Sequence, residues 1–196
     1  AGTVAASALD AVHARTGKAR ALLVGCGLGR HGDTDEFVRH LIGSTTLPGV
    51  LDADGLNAVA PVIDELDFAG RWVLTPHLGE LRRLTGREDL STASRLELAV
   101  EYAACWNAVV LVKGLPSVVA GPDGTAYINP TGGPALATAG AGDVLAGAIA
   151  GLQAQGLAPL EAAAAGLYLG GAAADRYAAS HDGRSLRAMD VVDGLR

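Results

Sequence analysis

The stretch ALLVGCGLG, residues 21–29, joins four apolar residues directly to a turn that holds three glycines. A short apolar run of this kind reads as a strand buried on both faces, and glycines at its carboxyl end permit a tight turn and close approach to the backbone. The same arrangement recurs along the chain. Gly49 to Asp52 runs into DADGLN (52–57), Arg71 to Leu74 into TPHLGE (75–80), and Val109 to Val112 into Lys113-Gly114. A hairpin follows, Ser117 to Ala120 against Thr125 to Ile128, around Asp123-Gly124.

Between the runs lie alanine-rich stretches with helical periodicity. Helices are expected at Val4 to Arg15, Asp33 to Leu41, Leu56 to Leu66, Gly79 to Thr85, Ser91 to Trp106, Gly142 to Gln155 and Pro159 to Ala179, with a short turn at Ala188 to Gly194. Ser91 is the expected N-cap of the fifth, with Ser94 where a capping box would have Glu. Strands alternating with helices define the α/β class, here a mostly parallel sheet with helices on both faces in three layers. In open parallel sheets ligands sit beyond the carboxyl ends of the strands, so the four clusters are expected to converge on one functional edge.

A length of 196 residues suits one domain, and no repeat or linker divides it. With 49% apolar and 18% charged residues the composition is globular, and 4% aromatics leave the core to Ala, Val, Leu and Ile. The net charge of −6 argues against a sequence-independent nucleic-acid surface, which needs a basic patch. Cys26 and Cys105 are too few and too far apart for a disulfide framework or a zinc site, no stretch suits a membrane span, and no signal sequence is visible. A cytoplasmic protein is the expectation.

Each cluster has a chemical reading and a plainer one. Gly25 to Gly29 fails the dinucleotide fingerprint because Arg30 stands where the third glycine belongs. Asp52 and Asp54 suit a magnesium-nucleotide held through water, or Asp54 caps the helix near Gly55. His77 is a site residue or a capping residue. Lys113 leaves a buried strand as a cation that needs a partner, either a phosphate or a carboxylate such as Asp52 or Glu80. In LATAGAGDVLAG (136–147), Gly140-Ala141-Gly142-Asp143 opens a helix, where free amides and the dipole favour an anion. Asp143 either complements that dipole or takes a proton from a hydroxyl that attacks a phosphate.

The segments VLTPHLGELRRLTG (73–86), VVLVKGLPSVVAGPDGTAYINPTGGPALATAGAGDVLAGAIAGLQAQG (109–156) and EAAAAGLYLGGAAAD (161–175) together resemble the ADP-dependent NAD(P)H-hydrate dehydratases of the ribokinase-like superfamily. The similarity runs from about Ala21 to the C-terminal end. It implies repair of NADH or NADPH hydrate with ADP as co-substrate, Mg2+ as the expected ion, and AMP, phosphate and restored NAD(P)H as products. By this resemblance Lys113, Gly114, Leu115, Pro116 and Ser117 line the AMP site, and Gly140 and Gly142 lie beside the phosphates. Asp143 is the base at the hydrate, His77 and either Gly27 or Gly29 contact the hydrate, and Asn129 and Thr131 form a supporting Asn-x-Thr-Gly turn.

The chain departs from the family pattern at Ala139, Ala141, Gly133 and Gly170, where Gly, Thr or Ser, Asn and His are usual. Ala139 loses backbone freedom if its position needs positive φ, and Ala141 lacks a hydroxyl for phosphate. The resemblance also implies that the chain begins inside the family's domain, after upstream strands that complete the sheet. A small-molecule kinase of the same superfamily and a non-catalytic nucleotide-binding fragment are the alternative readings. The alanine-rich face Glu161 to Ala174 suits subunit contacts in a homo-oligomer, and burial within one subunit explains it equally well.

Overall fold

In the computed structural model, which describes residues 3–90 and 93–195, the four apolar runs are the parallel strands β1 (Leu22–Val24), β2 (Gly49–Leu51), β3 (Trp72–Leu74) and β4 (Val109–Val112). The expected hairpin adds β5 (Val118–Ala120) and β6 (Ala126–Ile128) antiparallel to β4, and the six strands lie in sequence order. Each parallel step needs a crossover, and the connecting helices pack mainly on one face. These are α2 (Gly32–Ser44), α3 (Asp54–Val59), α4 (Leu78–Thr85) and α5 (Arg95–Trp106), preceded by α1 (Leu9–Thr16). The other face takes α6 (Ala141–Ala154) and α7 (Pro159–Ala178), with α8 (Ala188–Gly194) beyond them.

The pleat sorts side chains between the two faces. Leu51, Trp72, Leu74, Val110 and Val112 join the core under α2 to α5, whereas Val50, Val73, Val109 and Leu111 pack against Ala146 and Ile149 of α6 and Ala162, Ala163 and Leu167 of α7. The strands β2, β3 and β4 are buried throughout, as their unbroken apolar runs predict. β1 differs, because it is the outer strand of the order and leaves Leu23 40% exposed.

Three helix boundaries depart from expectation for local reasons. The first helix begins as a 3-10 turn, Ala6–Ala8, before α1. The third ends at Val59 and passes into a 3-10 turn, Ala60–Glu65, because Pro61 has no N–H to continue it. The fifth starts at Arg95: Ser94 is its N-cap, and Glu97 completes a capping box with it. The expected cap at Ser91 lies outside the described residues.

Candidate active site

The strand register brings the four clusters to one edge. The amide of Asp52 donates to the Val24 carbonyl, that of Thr75 to the Leu51 carbonyl, and His77 bridges Lys113 in parallel register. The Gly25–Gly29 turn is pinned from both sides. Gly25 has φ +131°, and a Cβ there would overlap the Asp52 carbonyl oxygen, so only glycine fits. At the far end, Asp54 Oδ2 accepts from the Gly29 amide at 3.0 Å. Asp54 therefore anchors the glycine turn, and the N-cap of α3 is Ala53.

Lys113 finds carboxylates. Its Nζ lies 2.8 Å from Asp52 Oδ1 and 3.7 Å from Glu80 Oε2, with side-chain exposures of 21% for Lys113 and 3% for Asp52. His77 caps α4 in a reciprocal box. Its Nδ1 accepts from the Glu80 amide at 3.2 Å, and Glu80 Oε2 accepts from the His77 amide at 2.9 Å. The imidazole stays 54% exposed, so capping fixes the ring without hiding it. Glu80 thus links His77 to Lys113, a role legible from its place three residues after His77.

A cavity of about 560 Å³ opens at this edge between the β4–β5 loop and helices α6, α7 and α8. Lys113, Gly114, Leu115 and Ser117 line one side of it, together with His77, and Asn129, Thr131 and Gly142 also reach it. Val144, Leu145, Leu167, Val191 and Leu195 give it an apolar wall. Ser117 Oγ accepts from the Gly114 amide at 3.1 Å and donates to the Gly114 carbonyl at 2.8 Å, which closes the loop on itself. Arg95 lies beneath, where a Cβ on Gly114 would collide with its guanidinium, and Arg95 Nη1 donates to the Leu115 carbonyl at 3.3 Å. Thr131 Oγ1 donates to the Tyr168 carbonyl at 3.0 Å, and Asn129 Nδ2 donates to the Leu167 carbonyl at 3.4 Å. These bonds strap the Asn-x-Thr-Gly turn to α7.

Pro116, Gly140, Gly27, Gly29 and Asp143 do not line this cavity. Gly140 is the N-cap of α6 at φ +85°, and no side chain caps that end. The first-turn segment Ala141-Gly142 faces the cavity, whereas exposed Asp143 stands on the side of the glycine turn. There the Sγ of Cys26 and carboxylate oxygens of Asp52 and Asp143 all lie within 4.8 Å of one another. Burial first, then the neighbouring Asp143, then Asp52, push the Cys26 thiol up to about 12, with Lys113 opposing them. The two halves of the edge meet at Gly142, where a Cβ would lie 3.7 Å from both Asp52 Oδ2 and Lys113 Nζ.

Three of the departures resolve sterically. The non-glycine residues at positive φ are Ala53, Ala69 and Asn107 among those described, so Ala139 carries no left-handed strain. Gly133 and Gly170 both line the cavity, and a Cβ at either meets nothing within 4 Å. Side chains would fit there, and glycine leaves the cavity wider.

The architecture and the site can be set beside known proteins. A ribokinase-like superfamily protein from Enterococcus faecalis superposes with a TM-score of 0.81 over 98% of this chain and 66% of that one, at 21% identity, which establishes the fold. The ADP/ATP-dependent NAD(P)H-hydrate dehydratase of Bacillus subtilis, crystallised with ATP/Mg2+ and soaked with CoA, superposes with a TM-score of 0.78 over 90% of this chain and 64% of that one, at 34% identity. The bifunctional NAD(P)H-hydrate repair enzyme Nnr of Salinibacter ruber is 56% identical over 189 residues, 95% of this chain, which spans about a third (35%) of that protein's length. The family described as NAD(P)H-hydrate dehydratase matches residues 3–195. With that match over nearly the whole chain, it belongs to the NAD(P)H-hydrate dehydratase family.

Proposed function

We propose that the chain dehydrates NADH or NADPH hydrate with ADP as co-substrate, giving AMP, phosphate and the restored dinucleotide. The observation that carries this reading is the position of Asp143. It sits on the first turn of α6, whose preceding residues face the cavity, and its own side chain stands outside the cavity wall beside the glycine turn. A nucleotide in the cavity can direct its terminal phosphate at the α6 N-terminus, and a hydrate on the glycine side can present its hydroxyl to Asp143. The family match favours the hydrate over the alcohol of a vitamin-precursor kinase.

In this mechanism Asp143 takes the proton of the ring hydroxyl, and the oxygen attacks the terminal phosphorus of ADP while AMP departs. The first-turn amides of α6 and the helix dipole stabilise charge on the transferred group. Phosphate then leaves carbon with its bonding pair as the ring nitrogen lone pair forms an iminium. Loss of the neighbouring C–H proton restores the double bond. Hydroxide is a poor leaving group and phosphate a good one, which is why the phosphoryl transfer comes first.

Magnesium is the expected ion, as in the ATP/Mg2+ crystals of the Bacillus subtilis relative. The Cys26, Asp52 and Asp143 cluster does not fit it as a direct donor set. A protonated thiol is a poor ligand for a cation that selects oxygen, and Asp52 Oδ1 is occupied by Lys113. Magnesium would instead be held by the nucleotide phosphates, whose charge it would offset.

The partners proposed are the hydrate and ADP or AMP, without nucleic acid or membrane, in a cytoplasmic homo-oligomer. No described helix is long and apolar enough to cross a membrane. The small residues of α7, including Ala162, Ala163, Ala173 and Ala174, are buried within the chain itself.

The test is to incubate the protein with NADH hydrate, ADP and magnesium and follow the absorbance of reduced nicotinamide. Recovery of NADH is expected, and Asp143→Asn should lower its rate by about 100-fold or more with AMP binding retained. Full turnover in that variant would remove Asp143 as the base, and AMP binding with no NADH formed in the parent would favour the non-catalytic reading.

A further inference from the structure

Cys26 is the residue of the glycine turn that the reaction above leaves without a task. Its place is fixed from three directions. Gly25 is locked against the Asp52 carbonyl, the Leu28 amide donates to the Gly25 carbonyl at 3.3 Å, and the Gly29 amide is held by Asp54. The side chain, partly buried, packs against the core that α6 covers, and its Sγ lies within 4.8 Å of an Asp143 carboxylate oxygen, so it points toward the start of the helix that carries Asp143. Asp143 itself is on the solvent side of that helix start and has no ion pair with Lys113, whose ammonium is taken by Asp52 and Glu80.

We propose that Cys26 is a positioning residue for Asp143: its thiol, fixed by the Gly25–Gly29 turn, donates a hydrogen bond to the Asp143 carboxylate and aims it across the turn at the substrate hydroxyl. The proposal rests on the reading of Asp143 as the base. The chemistry suits a donor and not a nucleophile. With its pKa pushed up to about 12 by burial and by the two carboxylates, the sulfur keeps its proton throughout the physiological range, so an S–H is always available and a thiolate is not. Asp52, the other carboxylate within reach, is already neutralised by Lys113 at 2.8 Å, which leaves Asp143 as the acceptor that gains orientation from the thiol.

A residue that only aims the base affects the chemical step and leaves nucleotide binding alone. Cys26→Ala should lower kcat for NADH formation about five- to tenfold, the loss of one hydrogen bond from a weak S–H donor, with KM for ADP and affinity for AMP unchanged. Cys26→Ser keeps a donor at the same place and should recover kcat to within about twofold of the parent. In the Asp143→Asn background, Cys26→Ala should produce no further loss, because the group it aims is gone. Thermal unfolding and AMP binding of each variant separate loss of the fold from loss of the contact.

An unchanged kcat in Cys26→Ala, with Asp143→Asn inactive, overturns the positioning role and spares the base. A Cys26→Ser variant as slow as Cys26→Ala overturns the donor role. Full activity in Asp143→Asn removes the base and the proposal with it. As a separate readout, alkylation at pH 8 should label exposed Cys105 and spare Cys26; rapid labelling of Cys26 would show a thiolate and contradict the donor assignment.

Discussion

Lys113 ends a strand whose four residues are all buried, and a cation in that place needs a counter-charge. The need was legible from residues 109–114, and Asp52 and Glu80 stood among the candidate partners beside a phosphate; the choice between them was not legible, because Asp52 reaches Lys113 only through the parallel pairing of β2, β3 and β4. Cys26 was opaque for the same reason: its two carboxylate neighbours come from the loop after β2 and the start of α6. His77 was readable both ways and holds both properties, a capping bond and an exposed ring. Because Asp52 is almost fully buried, removing Lys113 strands a charge. Lys113→Met should cost about 3 kcal/mol, roughly 6–12 °C in Tm, and adding Asp52→Asn should return part of it. Calorimetry of the single and double variants checks this, and additive losses would contradict the pairing.

The helices owe their starts and contacts to single positions. Ser94 caps its helix because Glu97 falls where its carboxylate can reach back to the Ser94 amide, at 2.7 Å, a pattern present in Ser-Arg-Leu-Glu. Glycines of α6 and α7 look alike in the sequence and differ in space. A Cβ on Gly171 would drive into Thr131, and one on Gly166 would meet Ile149 Cγ1 at 2.7 Å, whereas Gly151 has nothing within 4 Å. Gly151→Ala should therefore stabilise the protein by up to about 1 kcal/mol through helix propensity alone. Gly171→Ala should destabilise it by about 1–3 kcal/mol as Thr131 is displaced from its bond to Tyr168. Paired thermal melts decide the matter, and equal effects would mean that close packing of α7 on the turn is not what selects glycine there.

Across the whole molecule, the sheet was readable because its signal is local: unbroken apolar runs, each ending in a turn of glycine or polar residues. The cavity was readable only on its polar side, through residues such as Lys113, Ser117 and Thr131; its apolar wall was not, because Val144, Leu145, Leu167, Val191 and Leu195 come from separate segments and resemble ordinary core residues in the sequence. The segment 188–194, legible only as a short turn, folds as α8 and carries Val191 into that wall, where Leu195 follows it. Proteins open locally as well as globally, and a ligand suppresses any opening that dismantles its site. With AMP at about 100 times its Kd, amide hydrogen exchange in α8 should slow by up to about 100-fold. Amides of α2, on the opposite face of the sheet, should slow less wherever they exchange by local opening. Exchange in α8 that ignores AMP would detach it from the proposed nucleotide site. The last helix is then a reporter: solvent exchange at the end of the chain registers whether the pocket is filled, without reference to turnover.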